Sequence, residues 1–158
     1  MGLGKSGAEV AVCLHEHGAK PNISVRGPVS ITLRDLFGRP TQLTALKLAK
    51  LPNWLGDALG SLASRLAVGD MTKYGIPKPE MAPAKQLRLT GKTPVIDVGA
   101  VPLIKSGDIK IFPAIDHFEG KEVVFVDGRK EAFDTVILAT GYKAAIEDFI
   151  ADTSNIFN

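Results

Sequence analysis

The first periodicity along the chain is helical. Val10 and Leu14 stand four residues apart with Ala11 beside them, which predicts a helix from Ser6 to His17, stopped by Gly18. Asn22-Ile23-Ser24-Val25-Arg26 then reads as a short strand that ends before Gly27-Pro28. From Thr41 to Val68 leucines dominate. Leu43, Leu46, Leu48 and Leu51 precede Pro52, and Leu55, Leu59, Leu62 and Leu66 follow it at helical spacing, which predicts two short amphipathic helices broken at the proline. Residues Gly69 to Gly91, with Pro77, Pro79 and Pro83, read as loop. Thr93 to Gly99 leads to an alternating run at Ile109–Ile115, read as a strand. Lys121–Val126 and Arg129–Phe133 flank Asp127-Gly128, a strong hairpin signal. Thr135–Ala139 is apolar without alternation, the pattern of a strand buried on both faces of a parallel sheet. It ends in Thr140-Gly141-Tyr142, and a short helix is expected at Glu147–Ala151.

Strands alternating with helices predict an α/β fold. At 158 residues, 45% of them hydrophobic, the chain can bury one real core. A net charge of +2, from 19 basic and 17 acidic residues, gives no electrostatic footprint for nucleic acid. The single cysteine, Cys13, excludes an intrachain disulfide and a paired redox centre, and is read as a buried small hydrophobe. His15 and His17, two residues apart on a helix, point to different faces and are read as solvent-side residues, not a metal pair. No apolar run reaches the roughly 18 residues of a membrane span, and no signal-peptide pattern opens the chain, so a cytoplasmic location is expected.

The chemistry concentrates at the start. Gly2-Leu3-Gly4-Lys5-Ser6-Gly7 spells G-x-G-x-x-G at the opening of the first helix. In a dinucleotide fold the first glycine allows the tight turn, the second lets the backbone approach the pyrophosphate, and the third lets helix and strand pack closely. The helix N-terminus then offers free N–H groups to the phosphates. The fingerprint follows a strand elsewhere, whereas only Met1 precedes it here. At the end of the next strand an NAD site carries an acid; this chain has Arg26, whose guanidinium suits a 2′-phosphate, so NADPH is favoured over NADH. A solvated strand end is the plainer use of Arg26. Ser24 offers a hydroxyl, and Arg34 is a second basic candidate. Thr140 and Gly141, at the carboxyl end of an expected parallel strand, fall where such sheets gather ligands.

Other motifs are discounted. Tyr74 and Lys78 have the Y-x-x-x-K spacing of short-chain dehydrogenases, but Gly75 and Pro77 oppose the helix that chemistry needs. Asn22-Ile23-Ser24 spells a glycosylation acceptor in a chain with no secretory signal. His117 is read as structural. The Thr41–Val68 helices could form a lid or a membrane-surface element anchored by Trp54. A helical insertion packed on the sheet is favoured, because the polar face carries few basic residues.

Several blocks occur together and in order: Gly2-x-Gly4-x-Ser6-Gly7-x-Glu9, the Ser24-Val25-Arg26 strand end, Gly91-Lys-Thr-Pro-Val-Ile-Asp-Val-Gly99, Ile104-Lys-Ser-Gly107 and Leu138-Ala-Thr-Gly-Tyr142. In this the chain resembles the C-terminal portion of plant flavin-containing monooxygenases of the YUCCA type, the indole-3-pyruvate monooxygenases of auxin biosynthesis. The resemblance implies a doubly wound Rossmann-like FAD/NAD(P)-binding fold in two modules. FAD binds an N-terminal module with its own glycine fingerprint; NADPH binds a second one through Gly2, Gly4, Ser6 and Gly7, with Arg26 nearby. NADPH reduces the flavin, which activates oxygen for transfer to indole-3-pyruvate. No catalytic side chain is implied. On this mapping residues 1–142 form the NADPH module, lacking its first strand and carrying a helical insertion at about 41–68. Thr140 and Gly141 lie where the chain crosses back, and residues 143–158 return toward an FAD module that does not precede Gly2 here. The chain alone is therefore not expected to monooxygenate. The alternative function is a truncated, non-catalytic nucleotide-binding or interaction fragment, able to pair with a full-length relative.

Overall fold

The computed structural model describes residues 2–36, 38–91 and 93–141. In chain order it contains helix α1 (Lys5–Glu16), strands β1 (Asn22–Ser24), β2 (Ile31–Leu33), β3 (Asp35–Leu36) and β4 (Arg39–Pro40), and helices α2 (Thr41–Leu48) and α3 (Asn53–Val68). A 3-10 turn (Thr72–Tyr74) and helix α4 (Pro83–Thr90) follow, then β5 (Val95–Asp97), α5 (Ala100–Ser106), β6 (Lys110–Phe112), β7 (Ile115–Glu119), β8 (Glu122–Phe125) and β9 (Lys130–Ala132). The mixture is α/β, as the alternation predicts.

Two pairs of strands are parallel. β1 lies beside β6 with Ile23 opposite Ile111, and β2 lies beside β5 with Thr32 opposite Ile96. Parallel neighbours need a crossover; α2, α3 and α4 all fall between β2 and β5, and α5 links β5 to β6. Helix α1 packs against β1, β5 and α5 and so stands between the two pairs. It can approach closely because its inward residues are small: Gly7, Ala8 and Ala11 are buried. Its end is the expected glycine stop. Gly18, at φ +84°, turns the chain so that its N–H reaches the His15 carbonyl (2.9 Å) and the Ala19 N–H reaches Leu14 (3.0 Å).

The main core collects Ala8 and Ala11 of α1, Ile23 and Val25 around β1, Ile31 of β2, Val68, Met71 and Ile76 after the helical stretch, and Ala100, Val101, Ile104 and Ile109 around α5. Ile23, Ile76 and Ile109 are its largest fully enclosed side chains, each worth about 1.5–3 kcal/mol of apolar burial. A second cluster lies under the three-stranded antiparallel sheet β7-β8-β9. There Phe112 stacks on Phe125 (4.6 Å between centroids) and Phe133 meets both edge-on, while the Arg129 guanidinium sits 5.1 Å over the Phe112 ring. The hairpin turns at Asp127-Gly128 as expected: the Gly128 N–H donates to Phe125 (2.8 Å), and the Asp127 carboxylate accepts from the Arg129 backbone (3.1 Å) and Nε (2.7 Å).

The break at Pro52 also holds, since the Pro52 carbonyl receives the N–H groups of Leu55 (2.9 Å) and Gly56 (3.0 Å) in the first turn of α3. Three expectations need correction. The Gly69–Gly91 stretch is not all loop. Pro83 occupies the first turn of α4, where its missing N–H costs nothing, and Gly91 closes that helix at φ +67°. Thr135–Ala139 forms no strand; it has no hydrogen-bonded neighbour among the described residues, and Leu138 is 74% exposed. An apolar run records what side chains require but does not supply the partner that makes a strand. Cys13 is exposed, not buried. The Thr41–Val68 stretch meets the sheet through α3, which packs against β2. The Ser64 hydroxyl donates to the Ile31 carbonyl (3.2 Å) and Val68 enters the core, but α2 buries no residue. The expected helix at Glu147–Ala151, Tyr142 and the return segment 143–158 lie outside the described residues.

Candidate nucleotide site

The glycine turn leads straight into α1. Gly4 is its N-cap, at φ −101° and ψ 179°. The first intrahelical bond runs from the Ala8 N–H to the Gly4 carbonyl (3.0 Å), which leaves the N–H groups of Lys5, Ser6 and Gly7 without intrahelical acceptors. No acidic side chain occupies this first turn, so the positive end of the helix dipole is not neutralised from within it.

The three glycines are glycine for different reasons. A Cβ on Gly7 would lie 1.9 Å from the Gly2 carbonyl oxygen, which no side chain survives. A Cβ on Gly2 would lie 2.9 Å from the Ala139 carbonyl oxygen. Both positions are fixed by close packing of backbone within the chain. Gly4 differs: a Cβ there meets nothing within 4 Å, and its extended backbone is open to any residue. Nothing in the described protein requires a glycine at Gly4, and the space before it is open.

The Gly2–Ala139 contact brings the two ends of the described chain together. Thr140 and Gly141 follow directly and are exposed, Gly141 at φ +95°. Thus Gly2, Gly4, Ser6, Gly7, Thr140 and Gly141 belong to one neighbourhood. Ser6 is exposed on the first turn of α1. Arg26 is exposed just past β1, where the Val25 N–H extends the ladder to the Phe112 carbonyl (2.8 Å). The Ser24 hydroxyl is engaged, donating to the Pro113 carbonyl at 2.7 Å, so it serves the β1–β6 junction first.

Arg34 lies elsewhere. A cleft of about 830 Å³ opens between α1, the helices α2–α4, and the carboxyl ends of β2 and β5; Lys5, Glu9, Arg34, Ile96 and Val98 are among its walls. The ion pair of Asp57 and Arg88 (2.6 Å) ties α3 to α4 along it. The cleft does not include Arg26, Thr140 or Gly141. Sequence reasoning missed it because α4, one of its walls, reads as loop.

The Thr93–Gly99 block is a structural elbow. Asp97, buried at the end of β5, accepts the Val101 N–H (2.9 Å) and so caps the start of α5. Gly99 turns between them at φ +122°, with the space beyond its Cα filled by Val12 of α1. Among the described residues no cluster of histidine, cysteine or carboxylate could hold a metal ion. The carboxyls made more acidic are remote from the turn. Asp70 is held down by the Thr72 hydroxyl (2.6 Å) and N–H (3.0 Å), and Glu119 by its hydrogen bond and ion pair with Lys130. Tyr74 and Lys78 form no helical pair, since Gly75 between them is left-handed at φ +87°, and His117 is exposed beside Asp116 (2.9 Å). No described helix is long and apolar enough to cross a membrane.

No protein-family model matches the chain. Curated proteins do. Over 158 residues, 99% of this chain, it is 43% identical to Indole-3-pyruvate monooxygenase YUCCA8 of Oryza sativa subsp. indica, of which the match covers 38%. It is 40% identical over 153 residues, 96% of the chain, to Probable indole-3-pyruvate monooxygenase YUCCA3 of Arabidopsis thaliana, of which it covers 35%. It is also 40% identical over 158 residues to Indole-3-pyruvate monooxygenase YUCCA1 of Oryza sativa subsp. japonica, of which it covers 39%. The chain spans somewhat over a third of the length of these relatives, which are by name monooxygenases and hence oxidoreductases. Along nearly all of its own length, the chain is similar to the YUCCA-type indole-3-pyruvate monooxygenases.

Proposed function

We propose that this chain is the NADPH-binding part of a flavin-dependent monooxygenase of the indole-3-pyruvate, auxin-forming type, working in the cytoplasm. The observation that carries the nucleotide reading is the contrast among the glycines. Gly2 and Gly7 answer to the chain's own packing, whereas Gly4 faces open space at a helix N-terminus with unpaired N–H groups. That arrangement fits a pyrophosphate approaching the backbone. Gly2, Gly4, Ser6 and Gly7 hold the phosphates on this reading, Thr140 and Gly141 border them, and Arg26 takes the 2′-phosphate. The two parallel strand pairs around α1 are read as parts of one Rossmann-like sheet, with residues 1–142 as the module and 143–158 as its return segment. A flavin, bound outside the described residues, supplies the oxygen chemistry; the chain's own part is to bind and orient the reductant.

Titration of the purified chain with NADPH and with NADH tests this. Saturable binding that prefers NADPH and falls about tenfold or more in Arg26→Ala is expected, because a charged bidentate contact is worth about 1.5–3 kcal/mol. Equal affinity for both nucleotides, unchanged in the variant, removes Arg26 from the site. A second reading is a nucleotide-binding chain without activity of its own that pairs with a longer relative. Formation of indole-3-acetate by the isolated chain with FAD, NADPH and oxygen excludes it.

A further inference from the structure

The cleft between α1 and the helical stretch holds about 830 Å³, within the roughly 300–1,000 Å³ of small-molecule sites. Among the described residues, none that the nucleotide reading places on NADPH lines it. Its walls are largely apolar: Leu33 of β2, Leu48 of α2, Leu87 of α4 and Ile96 of β5. The wall formed by α3 has a glycine at its centre. Gly60 stands in the middle of the helix Asn53–Val68, where every residue but proline is more stable than glycine. Packing does not ask for it. A Cβ on Gly60 would meet only the Leu48 Cδ1, at 3.9 Å, an ordinary contact. Gly56, one turn earlier, differs: its Cβ would come to 3.0 Å from the Leu48 carbonyl oxygen, so that glycine serves the approach of α2 to α3. Gly60 lines the cleft, and what its missing side chain keeps is the room beside bare helix backbone.

Six charged side chains border the cleft: Lys5, Glu9, Arg34, Asp35, Asp57 and Arg88. Asp57 and Arg88 satisfy each other. The other four are exposed, and none forms an ion pair among the described residues. Arg34 follows the carboxyl end of β2, and its carbonyl accepts the Thr41 N–H (3.0 Å), which ties its backbone to the start of α2. A guanidinium held there suits a planar, bidentate anion such as a carboxylate. Lys5, beside Gly4, also lines the cleft, so its mouth adjoins the glycine turn.

We propose that this cleft holds a planar aromatic carboxylate, with its ring against the α3 backbone at Gly60 and its carboxylate on the Arg34 guanidinium. A flat ring is the shape that a wall without a side chain admits, and the leucines and Ile96 supply its apolar surroundings. The choice of ligand rests on the proposed function, whose keto acid belongs to this class. Such an acid brings one negative charge and no cation, so it needs Arg34 and leaves Glu9 and Asp35 in water. Bound there, it lies next to the turn that receives the nucleotide.

Equilibrium dialysis of the full chain against indole-3-acetate, a stable planar acid, and against indole-3-acetamide, its uncharged counterpart, tests this. Saturable binding of the acid, at least about tenfold tighter than of the amide, is expected. Arg34→Gln should erase that preference, and Gly60→Leu, which fills the wall, should lose both ligands. Gly60→Ala should raise the thermal midpoint while weakening the acid, a combination that a glycine kept for folding does not give. NADPH titrations of these variants should match the native chain. Failure of the acid to bind beside saturable NADPH binding therefore sinks this inference alone, and failure of NADPH beside a bound acid sinks the nucleotide reading alone. Equal binding of acid and amide overturns the proposal, as does an Arg34→Gln variant that keeps the preference. Tighter binding of tryptophan, whose ammonium calls on Glu9 or Asp35, assigns the cleft to an amino acid and overturns it equally.

Discussion

At the scale of single residues, the glycine turn separates what a fold demands from what a ligand demands. Gly7→Ala drives a Cβ to 1.9 Å from the Gly2 carbonyl oxygen and to 3.5 Å from the Ala139 Cβ. The forced movement should cost about 1–3 kcal/mol or more, as overpacking does. Gly4→Ala meets no atom and no forbidden backbone, so its stability cost should stay within about 1 kcal/mol, from a poorer helix cap. It should nevertheless weaken NADPH binding, since the methyl group occupies the approach to the helix N-terminus. Urea unfolding and nucleotide titration of the two variants check this. If Gly4→Ala binds NADPH like the native chain, the open space before Gly4 is not the site. The same scale shows where reading by residue type fails. Cys13 belongs to a residue type that is commonly buried, yet it lies on the outward face of α1, where the His17 ring lies 2.8 Å from its carbonyl and 3.8 Å from its sulfur.

At the scale of elements, the structure is legible wherever a local stop signal and a local period agree. Gly18 ends α1, Pro52 separates α2 from α3, and Asp127-Gly128 turns the hairpin, and each of these acts within a few residues of itself. What was not legible depends on position. Pro83 breaks a helix interior but begins one equally well, and only its place in the first turn of α4 decides between the two. The Thr93–Gly99 block stood out in the sequence as part of a resemblance, but its mechanics appear only in three dimensions. Asp97 is buried and its carboxylate satisfies the Val101 N–H, which is buried with it. Asp97→Ala leaves that donor unpaired and should cost about 1–3 kcal/mol. Asp97→Asn, which keeps an acceptor oxygen, should cost less. Denaturant midpoints of the two variants measure the difference. Equal losses would mean that Asp97 acts through its packing and not as the cap of α5.

At the scale of the whole molecule, the hydrophobic side chains divide unequally. The main core draws on α1, β1, β2, α5 and the stretch from Val68 to Ile76, and the phenylalanine cluster anchors β7-β8-β9. Neither α2 nor α4 buries a residue, and α3 buries only Val68. The glycine turn is held by the main core through Leu3 and Ala8, whereas the helical stretch reaches that core only through Val68. The sequence showed the leucine period of α2 and α3 but not which way it faced, because a period fixes a stripe and only the tertiary partner fixes its direction. Stability should follow this division, since amides open locally where few apolar contacts hold them. Hydrogen exchange should therefore be slowest in α1, α5 and the β1–β6 pair, and fastest in α2 and the first turns of α3, including the amides near Trp54. NADPH should slow it at Lys5–Ala8 and leave α2 unchanged. Protection that rose in both regions on adding NADPH would mean one cooperative unit, and the turn and the helical stretch could then no longer be treated separately.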